Sequence, residues 1–216
     1  MMIAVLLTGF EPFGGEPVNP SLEAVDALGL TPPADIRLAT AILPCSYART
    51  LPTLRRAIAE HRPDAVVCVG QAGGRNDLSI ERIAINVDDG RTPDNDGVQR
   101  IDSPVIGGGP AAYFATLPIK AMLAAVREGG VPASVSHSAG TFLCNHAMYG
   151  ALHMAATERP AMRAGFIHVP YLPEQAARHP GACSMAIETL VRGLRAALVT
   201  VRDVTTDLRV AAGATH

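Results

Sequence analysis

The sequence predicts an α/β protein, a single-domain three-layer α/β/α sandwich with a largely parallel, mixed central sheet. Three observations support this prediction. Apolar runs typical of buried strands alternate with helical patterns, which favours helices on both faces of a parallel sheet. The 216 residues can bury one large core, and no repeat, low-complexity tract or long linker divides them. We therefore expect one domain over residues 1–216, with a weakly patterned C-terminal tail from about residue 201.

The period of the apolar residues predicts each element in chain order. Residues 65–70 are apolar throughout, as in a central parallel strand. Residues 79–87 alternate like a strand, and Asn19 is expected to cap the first helix. Residues 88–112 form a loop rich in Gly, Pro and Asp, and compact domains rarely keep such a loop unless it binds or covers something. The predicted strands are residues 2–7, 36–43, 65–70, 79–87, 133–137 and 163–169, and the predicted helices are residues 20–28, 47–61, 118–128, 145–158 and 181–199.

Composition excludes several classes of function. The formal charge is −2 and the basic residues are scattered, so we expect no nucleic-acid partner. The apolar residues 1–8 are too few to span a bilayer and have no basic leader, so we expect a first buried strand and no membrane association. Cys45, Cys68, Cys144 and Cys183 lie far apart, which favours free thiols and a cytoplasmic location.

Cys144 is the first candidate for chemistry. Small and apolar residues precede it and a helical pattern follows, so it is expected at or just before a helix N-terminus. There, free N–H groups and the positive end of the helix dipole favour a thiolate and offer an amide that can bind an oxyanion. The alternative is a buried cysteine that acts as a small hydrophobic residue, as most free cysteines do.

A cysteine nucleophile needs a base and a group that orients the base. His168 ends an apolar strand just before a proline-bounded loop, where a parallel sheet presents side chains to a site. It could equally be a core histidine bonded to a carbonyl. His146 is too close to Cys144 in sequence and is expected to cap the helix or face solvent, while His137 and His153 are weaker candidates.

Glu81 is the candidate for the orienting acid. Strand alternation places it on the same face as Ile83, Ile85 and Val87. Burying an unpaired carboxylate on an apolar face lowers the stability of the fold by on the order of several kcal/mol. The residues alone leave a catalytic role and a buried salt bridge, for example with an arginine, equally open.

Phenylalanines in the loops suggest an apolar ligand pocket. Phe10 and Phe13 share one glycine-rich loop and Phe142 precedes Cys144 by two residues, although ordinary core packing is the more common outcome. The glycines of residues 70–75 do not have the spacing of a dinucleotide site, and residues 94–97 match only part of a calcium loop. We therefore expect no metal and no cofactor.

Several segments together are similar to the pyroglutamyl peptidase I (pyrrolidone-carboxylate peptidase) family of cysteine peptidases. The resemblance extends from residue 2 to about residue 200. Its segments are TGFEPFGG (8–15) with Asn19 and Pro20, VGQAGGR (69–75), ERIAIN (81–86), PDN (93–95), residues 113–122, and AGTFLCNH (139–146).

The resemblance implies a thiol exopeptidase that removes N-terminal pyroglutamate from peptides through an acyl-enzyme and needs no cofactor. It assigns the catalytic triad to Cys144, His168 and Glu81, and it implies a homo-oligomer, commonly a tetramer. The substrate-binding positions it implies are Phe10, Phe13, Asn19, Gln71, Phe142 and Leu143, with Arg91 and the backbone of Cys144 at the oxyanion. Cys45, Thr92 and Leu143 depart from the residues common in the family and could reshape the ring pocket.

Two other classes of function stay open at the level of the sequence. One is another enzyme on a similar scaffold, such as a nucleoside phosphorylase, which would need a phosphate site. The other is a binding protein in which the three candidate residues are structural. Fast, pH-dependent alkylation of Cys144 would favour catalysis over binding.

Overall fold

The computed structural model describes residues 2–213 and confirms the mixed, largely parallel α/β architecture. The strands are β1 (Ile3–Phe10), β2 (Ile36–Leu43), β3 (Ala65–Gln71), β4 (Leu78–Glu81), β5 (Ile83–Ile85), β6 (Ala112–Phe114), β7 (Ala133–Ser136) and β8 (Arg163–Val169). The helices are α1 (Pro20–Leu30), α2 (Thr50–His61), α3 (Ile119–Glu128), α4 (Leu143–Thr157), α5 (Pro173–Ala176) and α6 (Ile187–Asp203). None of the helices in the described part of the chain combines the length and apolarity needed to cross a membrane.

The main sheet has six strands in the order β2-β1-β3-β8-β4-β7. Its first four strands are parallel, and β4 is antiparallel to β8 while parallel to β7. Because β1, β3 and β8 are parallel neighbours, their carboxyl ends meet at one edge of the sheet. The candidate site lies at this edge, as expected for α/β sheets.

Two apolar clusters cover the two faces of the sheet. Helices α1, α3 and α6 contribute to the cluster on one face, and α2 and α4 contribute to the cluster on the other. Helix α4 is apolar around most of its circumference, which fits a helix packed between the sheet and α2. Asn19 caps α1 as predicted, since its side-chain oxygen accepts a hydrogen bond from the N–H of Ser21 at 3.0 Å.

The single strand predicted over residues 79–87 is wrong. The chain forms β4, leaves the main sheet at Arg82, and continues as β5 in a separate two-stranded sheet with β6. At the break, the N–H of Arg82 donates to the carbonyl of Ser136, and the carbonyl of Arg82 accepts from the N–H of Ala115. Glu81 therefore does not share one continuous strand face with the isoleucines that follow it.

The last helix begins at Ile187, whereas the sequence predicts it from residue 181. Gly181 has φ +83°, and the N–H of Met185 donates to the carbonyl of Tyr171, so this segment pairs with the loop after β8. The predicted start of α2 is also early, because Thr50 is its first residue.

The C-terminal tail is more ordered than its weak pattern predicts. Helix α6 continues to Asp203, and the carboxylate of Asp207 then accepts hydrogen bonds from the N–H groups of Lys120 and Ala121 at the start of α3. The carbonyl of Val210 accepts from Lys120 Nζ at 2.6 Å. Residue 1 of the predicted domain and residues 214–216 of the predicted tail lie outside the described residues.

Candidate active site

Cys144 is the second residue of α4 and lies where the carboxyl edge of the sheet meets the helix. The preceding Phe142 is extended, and no side chain within residues 2–213 caps the helix, so the first-turn N–H groups are free for another partner. Gly70 on β3 lies beneath the sulfur. A Cβ atom at that glycine would be 2.8 Å from Cys144 Sγ, so the close approach requires the absence of a side chain.

His168 and Glu81 are hydrogen-bonded, as an orienting acid and a base would be. His168 Nδ1 lies 2.7 Å from Glu81 Oε1, and both side chains are buried. The same carboxylate oxygen accepts from Arg75 Nη1 at 2.8 Å. Glu81 therefore forms the salt bridge with an arginine that the sequence leaves open, and the same oxygen contacts the imidazole that an orienting acid would hold.

The environment changes the protonation of the cysteine and the histidine. Burial of the sulfur, followed by the charge of Glu81, raises the pKa of the Cys144 thiol to about 12. Burial lowers the pKa of His168, although the hydrogen bond that its Nδ1–H donates to Glu81 opposes this shift. Burial therefore opposes the thiolate that the helix N-terminus is expected to favour. Both shifts favour the neutral forms of the thiol and the imidazole, which line the same groove.

A groove of about 640 Å³ opens at this edge and contains both Cys144 and His168. A narrow pocket leads inward from Cys144 between aromatic rings. The rings of Phe13 and Phe142 are 6.2 Å apart, and Phe10 packs on Phe166 at 6.5 Å. The residues that line this ring pocket are Phe10, Phe13, Asn19, Cys45, Gln71, Phe142, Leu143 and Cys144. The structure therefore brings together every predicted substrate-binding residue.

The two polar side chains of the ring pocket are held from behind. Asn19 Nδ2 donates to the carbonyl of Glu11 at 3.0 Å, which fixes the loop that follows Phe10 at the end of β1 and carries Phe13. Gln71 Oε1 accepts from Gln175 Nε2 at 3.0 Å. Because Gln175 occupies the acceptor of Gln71, the Gln71 amide N–H₂ remains available as a donor. Gln175 was not among the sequence candidates, since it lies in the short helix α5.

Arg91 is exposed and lines the groove with Asp89 and Thr92. The loop that carries it is fastened to the segment before the nucleophile. The N–H of Asp89 donates to the carbonyl of Thr141 at 2.8 Å, and Thr141 Oγ1 donates back to the carbonyl of Asp89 at 2.8 Å. The long loop thus forms one wall of the groove, in agreement with the expectation that it binds or covers something.

His146 contradicts its prediction, because it neither caps α4 nor faces solvent. Only 1% of the residue is exposed, and its Nδ1 lies 2.9 Å from Asp88 Oδ2. Arg100 Nη1 also donates to this carboxylate, at 2.8 Å, and the ring of Tyr47 packs edge-on against His146. Helix α4 turns residue 146 away from the groove. The buried carboxylate of Asp88 in the long loop supplies the hydrogen-bond partner that the buried Nδ1 atom of His146 needs.

Tyr171 and Arg75 are groove or site residues that sequence reasoning missed. Tyr171 lines the groove and stacks on His179 with ring centroids 5.0 Å apart, while Gly73 leaves room for its ring. Arg75 follows the glycine turn of residues 70–75, the segment whose glycines do not have the spacing of a dinucleotide site. A cation directly after that turn was the available signal. Within residues 2–213, no group of three or more His, Cys, Asp or Glu side chains is arranged to hold a metal ion.

The fold and the site define a class of protein. A cysteine at a helix N-terminus, sharing one groove with a histidine that a buried carboxylate orients, is the side-chain set that nucleophilic catalysis by a thiol requires. The ring pocket beside the sulfur adds a place for a small, uncharged and partly apolar group.

Comparison with known proteins identifies the family within that class. A family model described as pyroglutamyl peptidase matches residues 3–204. The pyrrolidone-carboxylate peptidases of Escherichia fergusonii and Cupriavidus necator are 55% and 54% identical to the chain, and each alignment covers 100% of both proteins. The crystal structure of pyroglutamyl peptidase I from Bacillus amyloliquefaciens aligns with a TM-score of 0.95 at 43% identity, covering 98% of this chain and 100% of that one. The chain belongs to the pyroglutamyl peptidase family, which confirms the resemblance predicted from the sequence.

Proposed function

We propose that this protein is a cysteine exopeptidase that removes N-terminal pyroglutamate from peptides. Cys144 is the nucleophile, His168 the general base and acid, and Glu81 the residue that orients the imidazole. The observation that carries the proposal is the 2.7 Å hydrogen bond between Glu81 and His168 beside the groove that Cys144 shares. Membership of the pyroglutamyl peptidase family supports the choice of substrate.

The first half of the reaction forms a thioester. Glu81 holds His168 Nδ1, so Nε2 is the ring nitrogen left to accept the thiol proton. Because the pKa of Cys144 is raised, this proton moves as the sulfur attacks the carbonyl between pyroglutamate and the next residue. The backbone N–H of Cys144 and the guanidinium of Arg91 stabilise the oxyanion. Collapse of the tetrahedral intermediate breaks the C–N bond, and the imidazolium protonates the leaving amine.

The second half regenerates the thiol. His168 accepts a proton from water, and the resulting hydroxide attacks the thioester carbonyl. The C–S bond breaks, the sulfur takes back the proton from the imidazolium, and free pyroglutamate leaves. This cycle needs a neutral imidazole, which the burial-lowered pKa of His168 provides. Activity should therefore fall on acidification, as His168 becomes protonated.

The ring pocket suits a lactam better than a free amino group. Three phenylalanines and Leu143 supply apolar walls, and Asn19 and Gln71 supply polar atoms. Of the described residues that line this pocket, none carries a carboxylate that could bind an ammonium group. Pyroglutamate has no N-terminal charge, so it can enter without leaving a charge unpaired.

Hydrolysis of fluorogenic amides tests the proposal. The pyroglutamyl amide should be cleaved, and the matched prolyl amide, which lacks the ring carbonyl and carries a charged amine, should not. Iodoacetamide treatment or the Cys144→Ala variant should abolish turnover while the protein stays folded by circular dichroism. Release of pyroglutamate by Cys144→Ala at the native rate would refute the proposed nucleophile.

We further propose a cytoplasmic homo-oligomer, with a tetramer as the expected state. All four cysteines are free, which fits a reducing compartment. Large apolar side chains such as Phe114 and Ile101 are 67% and 66% exposed on this single chain, and a subunit contact would bury them. Size-exclusion chromatography with light scattering tests the assembly, and a monomeric mass at micromolar concentration would contradict it.

A further inference from the structure

Arg75 makes two contacts that link parts of the site. It follows a turn in which Gly74 adopts φ +99° and the N–H of Arg75 donates to the carbonyl of Ala72. Its Nη1 donates to Glu81 Oε1 at 2.8 Å, and its Nη2 donates to the carbonyl of Ser138 at 3.1 Å. One guanidinium thus reaches both the proposed orienting acid and the segment that leads to Cys144.

The charge of Glu81 explains why a cation is needed here. The carboxylate is 0% exposed, and a buried charge is tolerated only when it is paired. Two groups contact its Oε1 atom, the imidazole of His168 and the guanidinium of Arg75. Arg75 is permanently charged, so it can balance the carboxylate while the imidazole stays neutral. Without Arg75, protonation of His168 would be the nearest way to neutralise Glu81.

Other charged or titratable groups surround the pair. Asp77 lies on the β4 side and accepts from the hydroxyl of Ser79, which pairs with His168 across the sheet. His137 directly follows β7, the strand that pairs with β4. Cys144 and Cys68 lie on the side of the nucleophile. The titratable or charged residues that line the groove near the pair are Asp89, Arg91 and Tyr171. Among these, Arg75 is the cation in direct contact with the Glu81 carboxylate.

We propose, on the basis of the function proposed above, that Arg75 is a positioning residue that balances the charge of Glu81 and so keeps His168 neutral and able to accept the thiol proton. The contact with Ser138 also ties this charge to the segment before the nucleophile. The effect of Arg75 on the neighbouring groups agrees with this role, since its positive charge lowers the pKa of both Cys144 and His168.

Replacing Arg75 by a neutral residue should move the pH profile rather than merely lower the rate. Removal of a cation raises the pKa of both the thiol and the imidazole, so both limbs of the kcat/KM profile should move to higher pH, by about 1 unit for a charge this close. Arg75→Met is the main variant, and Arg75→Gln is a second neutral variant if the first unfolds. Arg75→Lys keeps the positive charge, so its pH profile should lie at least halfway back from the Arg75→Met profile to the wild-type profile. Arg55→Met, which removes an exposed partner of Glu158, is the matched control and should leave the profile in place.

Alkylation separates a failure of this inference from a failure of the proposed function. The pH midpoint of Cys144 alkylation by iodoacetamide does not depend on peptide hydrolysis, and it should rise in Arg75→Met and return towards the wild-type value in Arg75→Lys. Active wild-type protein with unshifted profiles in both neutral variants would overturn the role of Arg75 and leave the function intact. Wild-type protein that does not cleave the pyroglutamyl amide would overturn the proposed function, and the alkylation midpoints would still decide the effect of Arg75.

Discussion

Gly70→Ala should reduce catalysis by moving the sulfur. The new Cβ atom would lie 2.8 Å from Cys144 Sγ and 2.7 Å from Cζ of Phe166, whereas ordinary contacts between such atoms are about 3.5–4.0 Å. Phe166 is buried and packs against the rings of both Phe10 and His168, so the cysteine side chain is the easier of the two to displace. The sulfur should therefore retreat by about 1 Å, and a misplacement of this size costs about 100-fold in rate.

The fluorogenic pyroglutamyl amide assay measures kcat, and urea denaturation measures the cost of overpacking, for which we expect about 1–3 kcal/mol. Gly107→Ala is the matched control, because its Cβ atom would meet no atom within 4 Å and its φ is not positive. A misplacement of about 1 Å should lower kcat far more than threefold. If kcat of Gly70→Ala stays within about threefold of wild type, the placement of Cys144 over β3 is refuted.

Three further substitutions or modifications test other parts of the structure. Glu81→Gln should fold but lose about 10- to 150-fold in kcat/KM, because a charge-assisted hydrogen bond contributes about 1.5–3 kcal/mol. Hydrolysis of the pyroglutamyl amide measures kcat/KM and circular dichroism checks the fold. An unchanged kcat/KM would contradict this prediction. Asp207→Ala should lower the free energy of unfolding by about 1 kcal/mol through loss of the α3 cap, which urea denaturation measures. In Cys144→Ala, Cys45 should resist iodoacetamide because its side chain is buried and burial raises the pKa of its thiol, whereas exposed Cys183 should react, as peptide mass spectrometry can show. Cys144 differs from Cys45 because it lines the open groove beside His168, which can take up its proton.

The central strands were predictable because their residues are buried on both faces. Residues 65–70 match β3 to within one residue, and residues 163–169 match β8. The interval 79–87 failed for a different reason. Its alternation continues across Arg82, while the change of sheet is set by backbone hydrogen bonds to Ser136 and Ala115, which are distant in sequence. A local pattern carries no information on such partners.

In the candidate site, too, some residues were predictable from local pattern and others depend on partners that are distant in sequence. Cys144 and His168 are recognisable because each stands at the end of an element that faces the same edge of the sheet. Arg75 and His146 are recognisable only through their contacts. The partner of His146 is 58 positions away, in a loop without periodic structure. Pairings of this kind depend on how the loop is folded back on α4, which the spacing of residues does not specify.

Strand β8 occupies the middle of the sheet, between β3 and β4, although the two members of the Glu81–His168 pair are 87 positions apart in the chain. A nascent polypeptide that has not yet supplied residue 163 therefore presents two open strand edges, which are templates for mispairing between molecules. In the complete sheet, β8 pairs with both edges and carries the imidazole that contacts Glu81. Amino-terminal fragments of this chain that end before residue 163 should consequently be aggregation-prone.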